Sequence, residues 1–121
     1  MIFKIGEFSK LTQVSIRMLR YYDETGLLKP LEVDKVTNYR LYSADQIPTL
    51  NKIIFLRDLG FNVSEIAVAL AEWNDKQISG LLENRRIEIQ NAIKSEQEKL
   101  SKIEYPYRQC QRKQRWNVHQ A

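Results

Sequence analysis

Residues 15–30 read SIRMLRYYDETGLLKP. Ser15 is a good N-cap, because its hydroxyl can accept from an amide of the first turn. Gly26 suits the left-handed position that follows a helix end. A helix is therefore expected from Ser15 to about Glu24. Each residue turns a helical wheel by about 100°, which places Met18, Leu19 and Tyr22 on one side. Arg17, Arg20, Tyr21 and Glu24 fall on the other. The two adjacent tyrosines are thus divided, Tyr22 toward packing and Tyr21 toward the outside with both arginines. Two guanidinium forks and a phenol suit contact with DNA phosphate and base edges. The competing reading is a solvated face on which Arg20 pairs with Glu24.

Working outward, Ile5, Phe8 and Leu11 repeat at three-residue spacing and mark a short preceding helix over Ile5–Thr12. Two short helices joined by a tight turn form a helix-turn-helix pattern. The turn carries Gln13, and a left-handed glutamine there costs about 1–2 kcal/mol. On the other side, residues 30–43 (PLEVDKVTNYRLYS) alternate around a polar centre and predict a β-hairpin with a loop longer than two residues. On its second strand Tyr39 and Leu41 point one way, Arg40 and Tyr42 the other. A hairpin beside such a helix is a wing. Its phenols and cation repeat the chemistry of Arg17, Arg20 and Tyr21, which favours DNA contact over a merely solvated face.

Ser43 with Gln46, and Asn62 with Glu65, are capping-box patterns that open two further helices. Ile47, Leu50, Ile54 and Leu59 are the expected core stripe of the first, with Pro48 expected to forfeit a backbone bond inside it. Val63, Ile66, Ala67, Leu70 and Trp73 are the expected core of the second. A long helix is predicted from about Asp75 to a stop before Pro106. Along it Leu82, Arg86, Ile89, Ile93, Glu96, Leu100 and Ile103 alternate steps of four and three, the period of a coiled-coil seam. Little sequence remains to cover that stripe, so a second copy of the chain is the expected partner. In an antiparallel pair centred near Asn91, Arg86 would meet Glu96 of the other copy and lock the register.

The formal charge is +4 over 121 residues, and the excess equals the charge of the last 17, which hold four cations and no acid. Placement of charge in the first 60 residues, not the total, therefore carries the nucleic-acid argument. Residues 105–121 read as a flexible basic tail or the junction to something larger. Catalytic readings are poor. His119 is the only histidine, no glycine-rich phosphate loop occurs, and Cys110 with His119 cannot complete a metal site. Cys110, between Arg108 and Arg112, reads as incidental. No apolar run is long enough to span a membrane, and a single cysteine fits a cytosolic protein.

Taken in order, KIGEFSKLTQVSIRMLRYYDETGLLKP, NYRLYS, IIFLRDLGFNVSEI and a long helix resemble the MerR family of bacterial transcription regulators over about residues 2–104. The resemblance implies a mainly α fold in three parts. These are a winged helix-turn-helix with a second helix pair (1–74), an antiparallel coiled-coil dimerisation helix (75–104) and the basic tail (105–121). It implies a non-enzymatic homodimer that needs no cofactor and binds a palindromic operator in double-stranded DNA within an overlong promoter spacer. Bending and untwisting the duplex would realign the promoter for RNA polymerase, in the cytoplasm at the nucleoid. Ser15, Arg17, Arg20 and Tyr21 would address the DNA, with Tyr22 reaching phosphate if its hydroxyl emerges. Tyr39, Arg40 and Tyr42 would be wing contacts, and Arg57 a phosphate contact from the second helix pair. Gln13 departs from the glycine usual in the turn. Multidrug-sensing members, whose first 60 residues are the better fit, continue into an effector domain, and metal-sensing members carry paired cysteines. Neither feature is present, so a DNA-binding fragment or a short member is expected, its effector unknown. The alternatives are a non-sensing architectural binder, a dominant-negative partner and a coiled-coil adaptor.

Overall fold

The computed structural model describes residues 1–120, with side chains through Gln114. The chain forms two compact units, Met1–Ile78 and Ser79–Ala121. In the first unit the elements are β1 (Ile2–Lys4), α1 (Ile5–Thr12), α2 (Ile16–Thr25), β2 (Glu32–Val33), β3 (Arg40–Ser43), a 3-10 turn (Ala44–Gln46), α3 (Ile47–Asp58) and α4 (Val63–Ala71). Then α5 runs over Asp75–Gln120. The fold is mainly helical, a winged helix-turn-helix with a second helix pair and a long C-terminal helix.

The α1–α2 turn adopts the strained conformation that the sequence demands of it. Gln13 is left-handed, with φ 62° and ψ 24°. Hydrogen bonds offset the strain: Gln13 Nε2 donates to the Lys10 carbonyl at 2.8 Å, and Ser9 Oγ to that of Val14 at 2.6 Å. Helix α2 begins as expected, with Ser15 accepting from the Met18 amide at 3.1 Å, and ends at left-handed Gly26 with φ 80°.

The wing is a three-stranded antiparallel sheet in the order β1-β3-β2. Strand β1 has no counterpart in the sequence reading, since three residues are too few to show a period. Its Phe3 stands opposite Tyr42. The β2–β3 loop is closed by the Asp34 carboxylate, which accepts from the Val36 and Thr37 amides at 2.8 and 3.1 Å. Left-handed Asn38 completes the reversal.

The core joins Phe8, Leu19, Tyr42, Leu50, Ile53 and Leu56, all fully buried. Two expectations change here. The buried stripe of α3 is Leu50, Ile53 and Leu56, whereas Ile47, Ile54 and Leu59 are half-buried. In α4 the buried positions are Ile66 and Ala69, while Ala67 is exposed and Trp73 half-buried beneath the Lys52 ammonium, 4.6 Å from the ring centre.

Both helix-interior prolines also differ from expectation. The Ser43–Gln46 box opens the 3-10 turn, so α3 proper starts at Ile47 and Pro48 occupies its first turn. An N–H there would lack an intrahelical partner anyway, so nothing is lost. Pro106 lies inside α5, which continues to Gln120 instead of stopping before it. The missing N–H removes one intrahelical bond and the ring crowds the carbonyl four residues back, which on this exposed helix is open to solvent. The segment expected to be a flexible tail is therefore helical through Gln120, while His119 and the other side chains of 115–121 lie outside the described residues.

In the second unit Leu82 is half-buried, while the seam positions from Arg86 to Ile103 are exposed. Ile93, Leu100 and Ile103 are 53%, 56% and 58% exposed. Arg86 and Glu96 each have a partner three residues away on the same helix, Glu83 and Lys99.

Candidate nucleic-acid interface

The outer face of α2 follows from its packed one. With Leu19 and Tyr22 buried and Met18 half-buried, Arg17, Arg20 and Tyr21 are exposed. Neither Arg17 nor Arg20 makes an ion pair or hydrogen bond among the described residues, so the Arg20–Glu24 pair does not form and both guanidinium forks remain available. Ser15 is exposed but holds the helix start through the Met18 amide.

The wing stands against this face through one carboxylate. Arg40 Nε donates to Asp23 Oδ2 at 2.9 Å, and Lys29 Nζ lies 3.6 Å from the other oxygen. The bond to Asp23 raises the Arg40 pKa further above its ordinary range. It uses only one edge of the guanidinium. Tyr39 is exposed, with the Lys4 ammonium 5.2 Å from its ring centre, a cation–π contact between the start of α1 and the wing. Between these parts runs a groove of about 610 Å³, lined by Lys4, Gly6, Lys10, Arg20, Tyr39 and Arg40 among others.

Tyr42 must be withdrawn from the surface set. It is fully buried and stacked on Phe8, with ring centres 4.7 Å apart and planes 8° from parallel. Arg40 and Tyr42 do share a strand face, but that face turns toward α1. Arginine escapes along the edge to Asp23, and the shorter rigid phenol cannot. Burial raises the Tyr42 pKa, and its hydroxyl has no hydrogen-bond partner among the described residues.

Tyr22 and Arg57, expected as separate contacts, are joined. Arg57 Nη1 donates to the Tyr22 hydroxyl at 3.1 Å, although the Tyr22 ring is buried. Asp58 accepts from the same guanidinium at 2.9 and 3.2 Å. Having accepted one hydrogen bond, the hydroxyl keeps its own proton for an external acceptor.

Asp23, Lys4 and Lys10 escaped the sequence reading. The partner of Asp23 lies 17 residues away, outside the reach of any local pattern. Lys4 ends β1 and Lys10 lies on α1, and neither falls in the apolar stripe by which α1 is recognised. Among the described residues there is no cluster of His, Cys, Asp or Glu able to hold a metal ion, and no helix is long and apolar enough to cross a membrane. What the face offers is cations and phenols suited to bind an anion.

Residues 3–73, more than half the chain, match the MerR HTH family regulatory protein pattern. The HTH-type transcriptional regulator HmrR of Sinorhizobium medicae is 44% identical over 72 residues, 60% of this chain and 48% of that one. The multidrug-efflux transporter 2 regulator of Bacillus subtilis is 37% identical over 91 residues, 75% of this chain and 33% of that one. The chain thus matches about half the length of the first relative and a third of the second. Among solved structures, the EcmrR–DNA complex in EcmrR-RPo superposes with TM-score 0.78 at 38% identity, covering 93% of this chain and 41% of that one. MtaN, the N-terminus of the Bacillus subtilis multidrug transporter activator, gives 0.61 at 26% identity, covering 81% and 97%.

Proposed function

Because the chain belongs to the MerR family of helix-turn-helix regulatory proteins, we propose that it is a sequence-specific transcription regulator. It acts as a homodimer on a palindromic operator in bacterial cytoplasm, bending and untwisting an overlong promoter spacer for RNA polymerase. The observation that carries this reading is the groove that Arg20 of α2 lines together with Tyr39 and Arg40 of the wing, beside the exposed Arg17 and Tyr21 of the same helix. Among the described residues, the arginine forks on α2 have no ion-pair or hydrogen-bond partner. Arg17 and Arg20 are suited to read base edges, and the wing to grip the flanking phosphates. Arg57 and the spare proton of Tyr22 are suited to a further phosphate. The homodimer is supported by the uncovered Ile93, Leu100 and Ile103 stripe.

Repeated selection from a random duplex pool tests the reading. It should converge on a two-fold-symmetric sequence, because a homodimer reads two equal half-sites. A pool that never converges, or converges on an asymmetric site, would count against it. Transcription in vitro from an overlong-spacer promoter then separates an activator, which raises output, from a binder that only occupies the site.

A further inference from the structure

We propose that the groove between the start of α1 and the wing seats a stretch of DNA sugar-phosphate backbone, with Lys4 and Lys10 as its phosphate contacts and Gly6 keeping its wall open. The proposal rests on the DNA-binding reading above and adds α1 to the elements that grip the duplex.

Charge is the first argument. Lys4, Lys10, Arg20 and Arg40 border the groove, against the single carboxylate Glu7. Glu7 is already turned to the helix start, where its Oε1 accepts from the Lys4 amide at 2.9 Å. Lys10 and Arg20 have no ion-pair partner among the described residues, and Arg40 has spent one guanidinium edge on Asp23. An excess of cations in a concave site raises the local concentration of an anionic partner. The groove is open and about 610 Å³ in volume, with Tyr39 on its wing side. Tyr39 steadies the Lys4 ammonium on one side only, leaving ammonium hydrogens directed away from the ring.

Gly6 is the second argument. Glycine within a helix is less stable than alanine by about 0.5–1 kcal/mol. Nothing among the described residues requires it: Gly6 is not among the positive-φ residues, and an added Cβ would meet no described atom within 4 Å. The empty space matters only to a molecule arriving from outside. The first-turn amides of a helix have no intrahelical acceptor and carry partial positive charge. A bare glycine lets a phosphate oxygen approach them, and a methyl group there stands in its way.

Backbone contacts are independent of sequence, so a mixed-sequence duplex of several helical turns is a sufficient probe. Lys4→Gln, Lys10→Gln and Gly6→Ala are each titrated over a salt series, with Arg17→Ala as a probe of the parent reading and thermal melts to check folding. Each lysine variant should flatten the slope of log affinity against log salt by about 0.9, one lost phosphate contact. Gly6→Ala should melt at or above the wild-type temperature yet bind about tenfold more weakly, the worth of one hydrogen bond to a charged group. Wild-type slopes for the lysine variants, or wild-type affinity for Gly6→Ala, would overturn the proposal. If those three bind normally while Arg17→Ala is impaired, only the α1 seat is lost. A wild-type chain that binds no duplex would overturn the parent reading and the seat together.

Discussion

Asp23→Asn removes a carboxylate that ties the wing to α2, and its two consequences have opposite signs. Arg40 Nε lies 2.9 Å from Asp23 Oδ2, with side chains 35% and 19% exposed. Exposed ion pairs contribute about 0–1 kcal/mol, whereas breaking a fully buried one costs about 3–5 kcal/mol. This pair falls between them. Lys29, 3.6 Å away with a side chain 70% exposed, adds little. Asparagine retains an oxygen acceptor of the same shape, so the expected loss is about 1 kcal/mol. For a domain of this size that is a fall of roughly 4–8 °C in melting temperature. Urea unfolding should show a lower midpoint at unchanged slope. On DNA, Arg40 loses its counter-charge, so the face gains one unit of positive charge. Affinity for scrambled duplex should rise while affinity for the selected site gains less or falls, because the wing is no longer held in register. The ratio of the two therefore drops. Wild-type stability with an undiminished ratio would refute the idea that Asp23 positions the wing.

Tyr22→Phe should preserve the fold and lower stability by about 1 kcal/mol, below the usual range for bonds to charged groups because solvent reaches the Arg57 side chain. Its salt slope should flatten by about one phosphate contact, and an unchanged slope would show that the hydroxyl does not reach DNA. Tyr42→Phe removes a buried, unpartnered hydroxyl, so urea unfolding should show equal or greater stability; a loss above about 1 kcal/mol would reveal a partner for it. Charge reversal at Arg86 or Glu96 alone should weaken dimerisation in sedimentation, and the double reversal should restore it. Normal dimers from both single variants would exclude the register lock. Asp34 has its pKa lowered by the Thr37 and Val36 amides. The wing-tip bonds therefore contribute fully above the ordinary carboxylate value and are lost as pH falls below about 3.9 through the folded-state value. The Val36 and Thr37 amide resonances should shift over that lower range, and a midpoint above it would contradict the assignment.

How much of this was legible in the sequence depended on whether the deciding interaction was local. The α2 cap, its Gly26 stop and the division of Tyr21 from Tyr22 are set within one helix, and the wheel finds them. Strand β1 is legible only once β3 supplies its partner. Tyr42 shows the limit of alternation, which says that two residues share a face but not what covers it. Phe8 does, from 34 positions away in the chain. Pro48 was misjudged because the capping box opened a 3-10 turn, moving the helix start by three residues. Asp23 carries no local signal, because its partner Arg40 is brought in by the wing. Lys4 and Lys10 gain significance only when the groove gathers them with Arg20 and Arg40.

On the reading proposed above, α2 and the wing form one sequence-reading DNA face. Competition between the selected duplex and a scrambled one of equal length, at near-physiological salt, tests it most directly. The selected site should be preferred at least ~10³-fold, and the preference should fall sharply in an Arg17→Ala, Arg20→Ala double variant that still folds. Equal affinity of the wild-type chain for both duplexes, or a preference untouched by that double substitution, would contradict it.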